Sequence, residues 1–236
     1  MIDFHMHVLP GMDDGSRNIF VSLAMLEKSA EQGIKTVAAT SHFYAQENSP
    51  KQFLERRQRA ADILMDAMED EDWTPPRILL GAEVHFFDGM SAVSDLDKLC
   101  LEGTNFLLLE MPFVRWTDRM LREVDELIRR GIEPVAAHIE RYMHIQSEKT
   151  MKAFLDKDIL VQTNANFFIF RKTERRALKM LKNARIQFLG SDAHNITSRP
   201  PNLGYARDIV EKKLGGPALS YLRSYETLAT RGGGAE

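Results

Sequence analysis

His5 and His7, one residue apart, close an apolar stub that begins at Met1, and Asp192 and His194, also one residue apart, close a second apolar run far downstream. In an extended strand residues i and i+2 point to the same side, so each pair can aim two donor atoms at one point. Imidazoles and carboxylates converging in this way are the donor chemistry of a metal-dependent hydrolase.

The elements that must position them are strands. Short apolar or β-branched runs recur at Ile2 to His5, Lys35 to Thr40, Arg77 to Glu83, Asn105 to Glu110, Pro134 to His138, Ile159 to Asn164 and Ile186 to Ser191. Between them, apolar residues three and four apart, such as Leu23, Leu26 and Ala30 or Leu121, Val124, Leu127 and Ile128, have helical spacing. About seven strands alternating with helices predict βα units on a parallel sheet. Gly33 and Gly131 each end a helical segment just before a strand, where a left-handed cap is wanted. Thr117 is positioned to cap the helix of Leu121, and Ser16 the first helix.

Further candidate ligands fall at or just after the ends of these strands: His42 after the second, Glu83 at the third, Glu110 at the fourth and His138 at the fifth. The sixth, ending near Asn164, has none. In a barrel of parallel strands those ends open on one face, where such folds place their sites. Asp13 or Asp14, in the turn after the first strand, can join them from a loop, and spacing does not choose between the two. Taken singly, a histidine at a strand end is most often a satisfied polar residue, and a lone Glu110 an ion-paired one. Their joint occurrence at strand ends is what argues for a metal site.

The donors are all nitrogen and oxygen, which suits Mn²⁺, Fe or Zn²⁺ and disfavours copper(I) and iron–sulfur clusters. They are too many for one ion and suit two or three sharing a bridging carboxylate, as in sites for phosphoester displacement. Without cations the converging carboxylates repel one another. Arg141 and Arg199 lie on loops at the same face, with guanidinium forks that match phosphate oxygens; the plainer alternative is a surface salt bridge. Asp3 falls on the face of His5 and His7, one step deeper, as a barrel-floor contact, while His85 and His144 are read as structural or rim residues.

Composition narrows the classes. The 236 residues suit one domain, residues 1–230, with a loose Gly-rich tail over residues 231–236. A net charge of −3 shows no basic stripe for nucleic acid, and no apolar run approaches a membrane span. Met1 leads directly into a strand, and the chain reads as cytoplasmic. Cys100 is the only cysteine, so thiolate-rich metal sites are excluded. A phosphatase with a cysteine nucleophile would need an arginine six positions on, where Phe106 stands; Cys100 reads as a buried apolar residue.

The runs Met-Ile-Asp-Phe-His-Met-His-Val-Leu-Pro-Gly-Met-Asp-Asp-Gly-Ser, Ser-His-Phe, Gly-Ala-Glu-Val, His-Ile-Glu-Arg-Tyr and Ser-Asp-Ala-His-Asn with Arg-Pro-Pro are similar to the polymerase and histidinol phosphatase (PHP) superfamily. Within it, the chain resembles the bacterial manganese-dependent protein-tyrosine-phosphatases of capsular and extracellular polysaccharide synthesis, from Met1 to about Tyr225. The resemblance implies an α/β fold, a distorted (β/α)7 TIM-like barrel in a single domain, with a trinuclear centre at its C-terminal rim. Carried over, His5, His7, Glu83 and Asp192 hold one ion, Glu83 bridges to a second held by Glu110 and His138, and Asp14, His42 and His194 hold the third; the pattern selects Asp14 over Asp13. It also implies Mn²⁺ as cofactor, Arg141 and Arg199 beside the phosphate, and a phosphotyrosine protein as partner, such as the C-terminal tail of a bacterial tyrosine kinase. A homo-oligomer is compatible with it.

The function expected is hydrolysis of phosphotyrosine by metal-activated water without a phosphoenzyme. Two competitors are a phosphoesterase for a small metabolite such as histidinol phosphate, on the same scaffold, and a metal-stabilised module that binds a phosphopeptide without cutting it. The loops at residues 112–116 and 166–171 depart from the family pattern. With Phe43 and Tyr44, their aromatics Phe113, Trp116 and Phe167 to Phe170 either line a groove for a tyrosine side chain or, the simpler reading, pack as core or oligomer contacts.

Overall fold

The strands of this chain are short and apolar on both faces, the mark of a parallel sheet covered on each side. The computed structural model describes residues 1–230; the tail expected at residues 231–236 lies outside the described residues. In chain order the elements are β1 (Ile2–Met6), α1 (Ile19–Glu31), β2 (Thr36–Ala39), β3 (His42–Phe43), α2 (Pro50–Glu69), β4 (Arg77–Leu80), β5 (Glu83–His85), β6 (Phe106–Glu110), α3 (Asp118–Arg129), β7 (Glu133–Ala136), α4 (Glu148–Leu155), β8 (Leu160–Asn164), α5 (Asn166–Ile169), α6 (Glu174–Lys182), β9 (Phe188–Gly190), α7 (Leu203–Leu214) and α8 (Gly216–Thr230).

Every ladder is parallel, in the orders β1-β2-β4 and β3-β5-β6-β7-β8-β9. The second and third strands, expected as single runs, are each interrupted. Thr40-Ser41 separates β2 from β3, and Gly81-Ala82 separates β4 from β5. The two breaks lie side by side, and Gly81 N donates to Ala39 O at 3.0 Å and Glu83 N to Ser41 O at 3.1 Å across them. The ladder therefore kinks rather than ends. The ring closes where Asp192 N donates to His5 O at 2.7 Å and His7 N to Ala193 O at 3.0 Å. The result is the distorted α/β barrel that the family resemblance implies, built from the parallel βα units that the alternation of elements predicts.

An irregularity in β1 decides the site. Ile2 and Asp3 pair with Thr36 and Val37, but Met6 pairs with Ala39, so the register shifts between Asp3 and Met6. A bulge of this kind turns the following side chains to the other face. Ile2 and Phe4 accordingly join the apolar interior of the barrel, with Leu79, Leu108, Val135 and Phe188, and Met6 joins the layer between strands and helices. Asp3 does not continue the face of His5 and His7. It is fully buried beside the bulge, and its Oδ1 accepts Ser191 N at 2.8 Å and His5 N at 3.3 Å, tying β1 to the segment after β9.

Helix ends follow local chemistry. Ser49 and Gln52 form a reciprocal capping box ahead of Pro50, and Thr117 caps α3 through Met120 N. The first helix is capped by Asn18, not Ser16: the Ser16 hydroxyl is buried and spent on Asn18 O at 2.9 Å and Ser22 Oγ at 2.8 Å. Gly33 and Gly131 adopt φ of 77° and 82° at the helix-to-strand turns, as expected.

Candidate metal centre

The bulge lifts His5 and His7 onto the apolar floor as a polar second layer. Their Nε2 atoms lie 3.1 Å apart, and each faces Glu83 Oε2, at 3.1 Å and 3.3 Å. Asp192 Oδ1 stands 3.7 Å and 3.5 Å from the same two nitrogens. The other oxygen of Glu83, Oε1, is 2.8 Å from His138 Nε2, which is 3.5 Å from Glu110 Oε1. On the opposite side, Asp14 Oδ1 lies 3.4 Å from His194 Nε2 and 3.6 Å from His42 Nε2. His42 Nδ1 reaches back to Glu83 Oε2 at 3.0 Å. All nine residues expected as ligands thus meet around one carboxylate, Glu83, whose two oxygens face different partners.

Donor atoms of His7, Asp14, His42 and His194 fall within 4.8 Å of one another, as do those of His5, His7 and Glu83 and those of His42, Glu83 and Glu110. This grouping overlaps the expected quartet and two trios but differs from them: His7 joins the Asp14 cluster, His42 joins Glu83 and Glu110, and Asp192 and His138 fall outside the three groups. Asp13 and Asp14 separate cleanly. Asp13 is engaged inward, its Oδ2 accepting from His7 Nδ1 at 2.8 Å and from His42 N at 2.8 Å, while Asp14 stands at the open side of the cluster.

The donors fit divalent cations on physical grounds. Buried polar atoms are normally paired, yet His42 Nδ1, Glu83 Oε2 and His194 Nε2 have no hydrogen-bond partner among the described residues. They face other donor atoms at 3.0–3.4 Å without hydrogen-bond alignment, the disposition of groups aimed at a shared ion. The protonation states agree. Burial resists charging His7, but Asp13, Asp192 and Glu83 overcome it and hold the imidazole well above its ordinary pKa. His138, opposed by burial and favoured by Glu110 and Glu83, is raised to about 9. Burial raises Glu83, but His5, His138 and His7 bring it well below the carboxylate range. His7 and His138 are thus favoured as proton carriers that offset the carboxylates in place of a cation, whereas burial pushes His42 and His194 down toward the neutral form that ligates a metal.

Two candidate ligand positions are held in unusual backbone conformations. His138 has φ of 31° and Asp192 φ of 53°, in the left-handed region that costs a residue with a β-carbon of order 1–3 kcal/mol. Each lies two residues beyond a strand, β7 or β9, where the chain turns at the barrel mouth. Close approach does the rest: a Cβ on Gly190 would lie 2.5 Å from the Cβ of His5, and one on Gly15 2.3 Å from the Cβ of His7.

Arg141 and Arg199 both reach the centre. Arg141 pairs with Asp192 Oδ2, and Arg199 Nη2 with Asp192 Oδ1 at 2.6 Å. With Asn164, Asn166, Phe170 and Asp192 they line a cavity of about 280 Å³ beside the ligand cluster. Sequence reasoning left the sixth strand without a role. Asn164 Nδ2 donates to Asp192 Oδ2 at 2.7 Å, and Gln162 Oε1 accepts His138 N at 2.6 Å and lies 3.4 Å from His5 Nδ1. The signal was legible: Gln162 and Asn164 are an i, i+2 polar pair at a strand end, like His5 and His7. His85, its Nδ1 2.9 Å from Glu110 Oε2, partners this candidate ligand at the rim.

The aromatic residues divide. Phe43, Trp116, Phe167 and Phe168 are core, which corrects the groove reading for them, because each is needed to fill space behind the rim loops. Tyr44, Phe113 and Phe170 remain at the mouth. Tyr44 stacks on His42 at 5.2 Å, Phe113 lies 6.1 Å from His138, and Phe170 lines the arginine cavity.

Comparison with known proteins identifies the family and the fold. The family described as capsular polysaccharide synthesis, CpsB/CapC, matches residues 1–226. The chain is 29% identical over 231 residues to the tyrosine-protein phosphatase CpsB of Streptococcus pneumoniae, covering 91% of each chain. It is 32% identical over 228 residues to the tyrosine-protein phosphatase YwqE of Bacillus subtilis strain 168, covering 91% of this chain and 85% of that protein. A solved structure from work on YwqE and CpsB, described there as unique metal-dependent tyrosine phosphatases, superposes with a TM-score of 0.84 at 27% identity, covering 97% of this chain and 94% of that one.

Proposed function

We propose, from the premise that this chain belongs to the CpsB/CapC capsular polysaccharide synthesis family, that it is a metal-dependent protein-tyrosine phosphatase. The observation that carries the reading is the gathering of nine nitrogen- and oxygen-donor side chains, Glu83 at their centre, with two guanidinium groups paired to Asp192 at its edge. His5, His7, Glu83 and Asp192 would hold one cation, Glu83, Glu110 and His138 a second, and Asp14, His42 and His194 a third. We take the metal to be Mn²⁺, with Fe or Zn²⁺ also suited to this donor set. Bound divalent cations supply charge neutralisation of phosphoryl oxygens and a lowered pKa of water.

The chain's own groups do the positioning. Asp13 orients His7 and Asn164 orients Asp192, an outer layer that fixes ligand geometry. Arg141 and Arg199 exchange part of their hold on Asp192 for the oxygens of an incoming phosphate, which their planar forks can take two at a time. They stabilise the charge that spreads over the transferring group. No side-chain nucleophile is needed: the Cys100 thiol is buried and pushed up to about 12, away from the mouth.

The proposed partner is a phosphotyrosine-bearing protein, specifically the C-terminal tail of a bacterial tyrosine kinase, and the proposed setting is the cytoplasm, where ATP-dependent kinases act. Substrate profiling tests the reading. A phosphotyrosyl peptide should be turned over far better than phosphoserine or histidinol phosphate, and the paired changes His5→Ala and His7→Ala should abolish turnover with the fold retained. A profile led by histidinol phosphate would replace it with a small-molecule phosphoesterase, and binding without product would leave a phosphopeptide module.

A further inference from the structure

The rim around the ligand cluster is divided by charge. The loops that follow β6, β7, β8 and β9 carry the cations Arg115, Arg141, Arg171, Lys172 and Arg199. The acids among them, Glu140 and Asp192, are engaged inward: Glu140 accepts Asn164 N at 3.1 Å and Asp192 takes both arginines of the cavity. Across the mouth, the connections after β1, β3 and β5 carry Asp13, Asp14, Glu47, Asp88, Asp95, Asp97 and Glu102 against Arg17 and Lys98. Arg115, Arg171 and Lys172 are exposed and make no ion pair among the described residues.

The cationic half is also where large apolar side chains stand in solvent. Phe113 is 49% exposed, Val114 53% and Phe170 57%, each within two residues of one of those free cations. None of the three fills space in the barrel. Phe113 leans on Tyr142 and His138, and Phe170 borders the cavity of Arg141 and Arg199, so the apolar groups flank the approach to the arginines on two sides. Exposed aromatics interleaved with unpaired cations form a surface for an anionic partner that also offers apolar contacts.

We infer that this half of the rim, through Arg115, Arg171 and Lys172 with Phe113, Val114 and Phe170, docks an extended acidic polypeptide segment flanking the phosphotyrosine of the substrate. The inference rests on the phosphatase reading above and adds to it the sequence context that the enzyme selects. Charge complementarity chooses the occupant. A flat anionic bilayer would meet both halves at once and be repelled by Asp14 and Glu47, whereas a single strand of polypeptide can follow the cationic half alone. The acids nearest to this half, Asp118, Glu148 and Glu174, occupy the first turns of α3, α4 and α6, where they offset the helix dipoles.

The test compares matched phosphotyrosyl peptides with acidic, neutral and basic flanks, p-nitrophenyl phosphate as a substrate with no flank, and anisotropy of an unphosphorylated acidic peptide. Expected for the native chain is the order acidic, neutral, basic in kcat/KM, carried by KM and weakened by salt. Arg115→Glu, Arg171→Glu and Lys172→Glu together should cost the acidic peptide about tenfold, the scale of three surface charge contacts, reverse the order of flanks, and leave p-nitrophenyl phosphate turnover within about twofold. The corresponding three alanine changes should give the same trend at smaller size. Equal rates for all flanks, or equal losses on peptide and p-nitrophenyl phosphate, overturn the inference. So does sedimentation with phosphatidylserine vesicles combined with indifference to peptide charge, which would assign the rim to a lipid surface. If no phosphate ester is hydrolysed, the phosphatase reading fails, and charge-dependent binding of the unphosphorylated peptide still decides for or against the docking surface.

Discussion

The barrel interior is built in two layers of opposite chemistry by the same strands. Below, Ile2, Phe4, Leu79, Leu108, Val135 and Phe188 pack together, with Tyr225 and Ala229 of α8 against them, and Phe4 stacks on Phe188 at 3.9 Å. Above, His5, His7, Glu83, Glu110, His138 and Asp192 are equally buried and almost wholly ionisable. The change takes one step from Phe4 to His5 and one i, i+2 step from Leu108 to Glu110. Apolar burial in the floor stabilises the fold by roughly 25 cal/mol per Å². Buried carboxylates and imidazoles above it cost free energy until each is neutralised. The floor makes an unneutralised upper layer tolerable, and the two layers can be broken separately.

The largest separation should come from the upper layer. Removing both imidazoles with His5→Ala and His7→Ala should eliminate turnover and metal retention while thermal unfolding of the metal-free protein stays cooperative. Collapse of the fold instead would show that the upper layer is structural. The floor should respond in the reverse sense. Phe4→Ala removes a fully buried ring from its stack and should cost about 3–5 kcal/mol in stability, read from denaturant midpoints, while the molecules that remain folded at low temperature keep their activity.

Cations should shift the balance between the layers. Metal at a hundredfold over its dissociation constant stabilises by about 2.7 kcal/mol per site, so chelation should lower the melting temperature and readdition restore it. The sign of the proton linkage follows from the imidazoles. His138, raised to about 9, and His7, raised well above its ordinary value, carry protons at pH 7 without metal and must lose them to ligate. Loading should therefore release protons at pH 7, and affinity should climb as pH rises toward 9. Calorimetry in buffers of different ionisation enthalpy measures this; a heat independent of buffer would contradict it.

How far these layers could be read from the chain differs between them. Strand ends were legible because donor residues sit there at i, i+2 spacing, and the βα alternation followed from apolar periodicity. The bulge in β1 was not. Nothing in Asp3-Phe4-His5-Met6 marks a register shift, which depends on Asp3 meeting Ser191 N from the far end of the chain. The paired breaks at Thr40-Ser41 and Gly81-Ala82 were hidden for the same reason, since each run is apolar enough to pass as one strand and the kink exists only where two strands kink together. Asp14 was separated from Asp13 by resemblance, and the physical reason appears only in three dimensions, where Asp13 turns inward to His7.

The smallest effects should come from groups that touch ligands without being ligands. Asp13→Ala removes the acceptor for His7 Nδ1, and Asn164→Ala the donor to Asp192; outer-layer changes of this kind lower metal affinity or activity by about 10–100-fold. Asp13 should stand at the upper end because its bond is charge-assisted. Asn164→Asp separates geometry from charge at the same position. Asparagine donates to Asp192 at 2.7 Å; an aspartate of the same shape would set two carboxylates at that distance and, without cations, raise the pKa of one of them. The metal-free Asp variant should therefore be less stable than the Ala variant above the carboxylate range and recover as pH falls and the pair takes up a proton. If the two variants melt alike at neutral pH, Asn164 acts by filling space, and Asp192 does not depend on it for orientation.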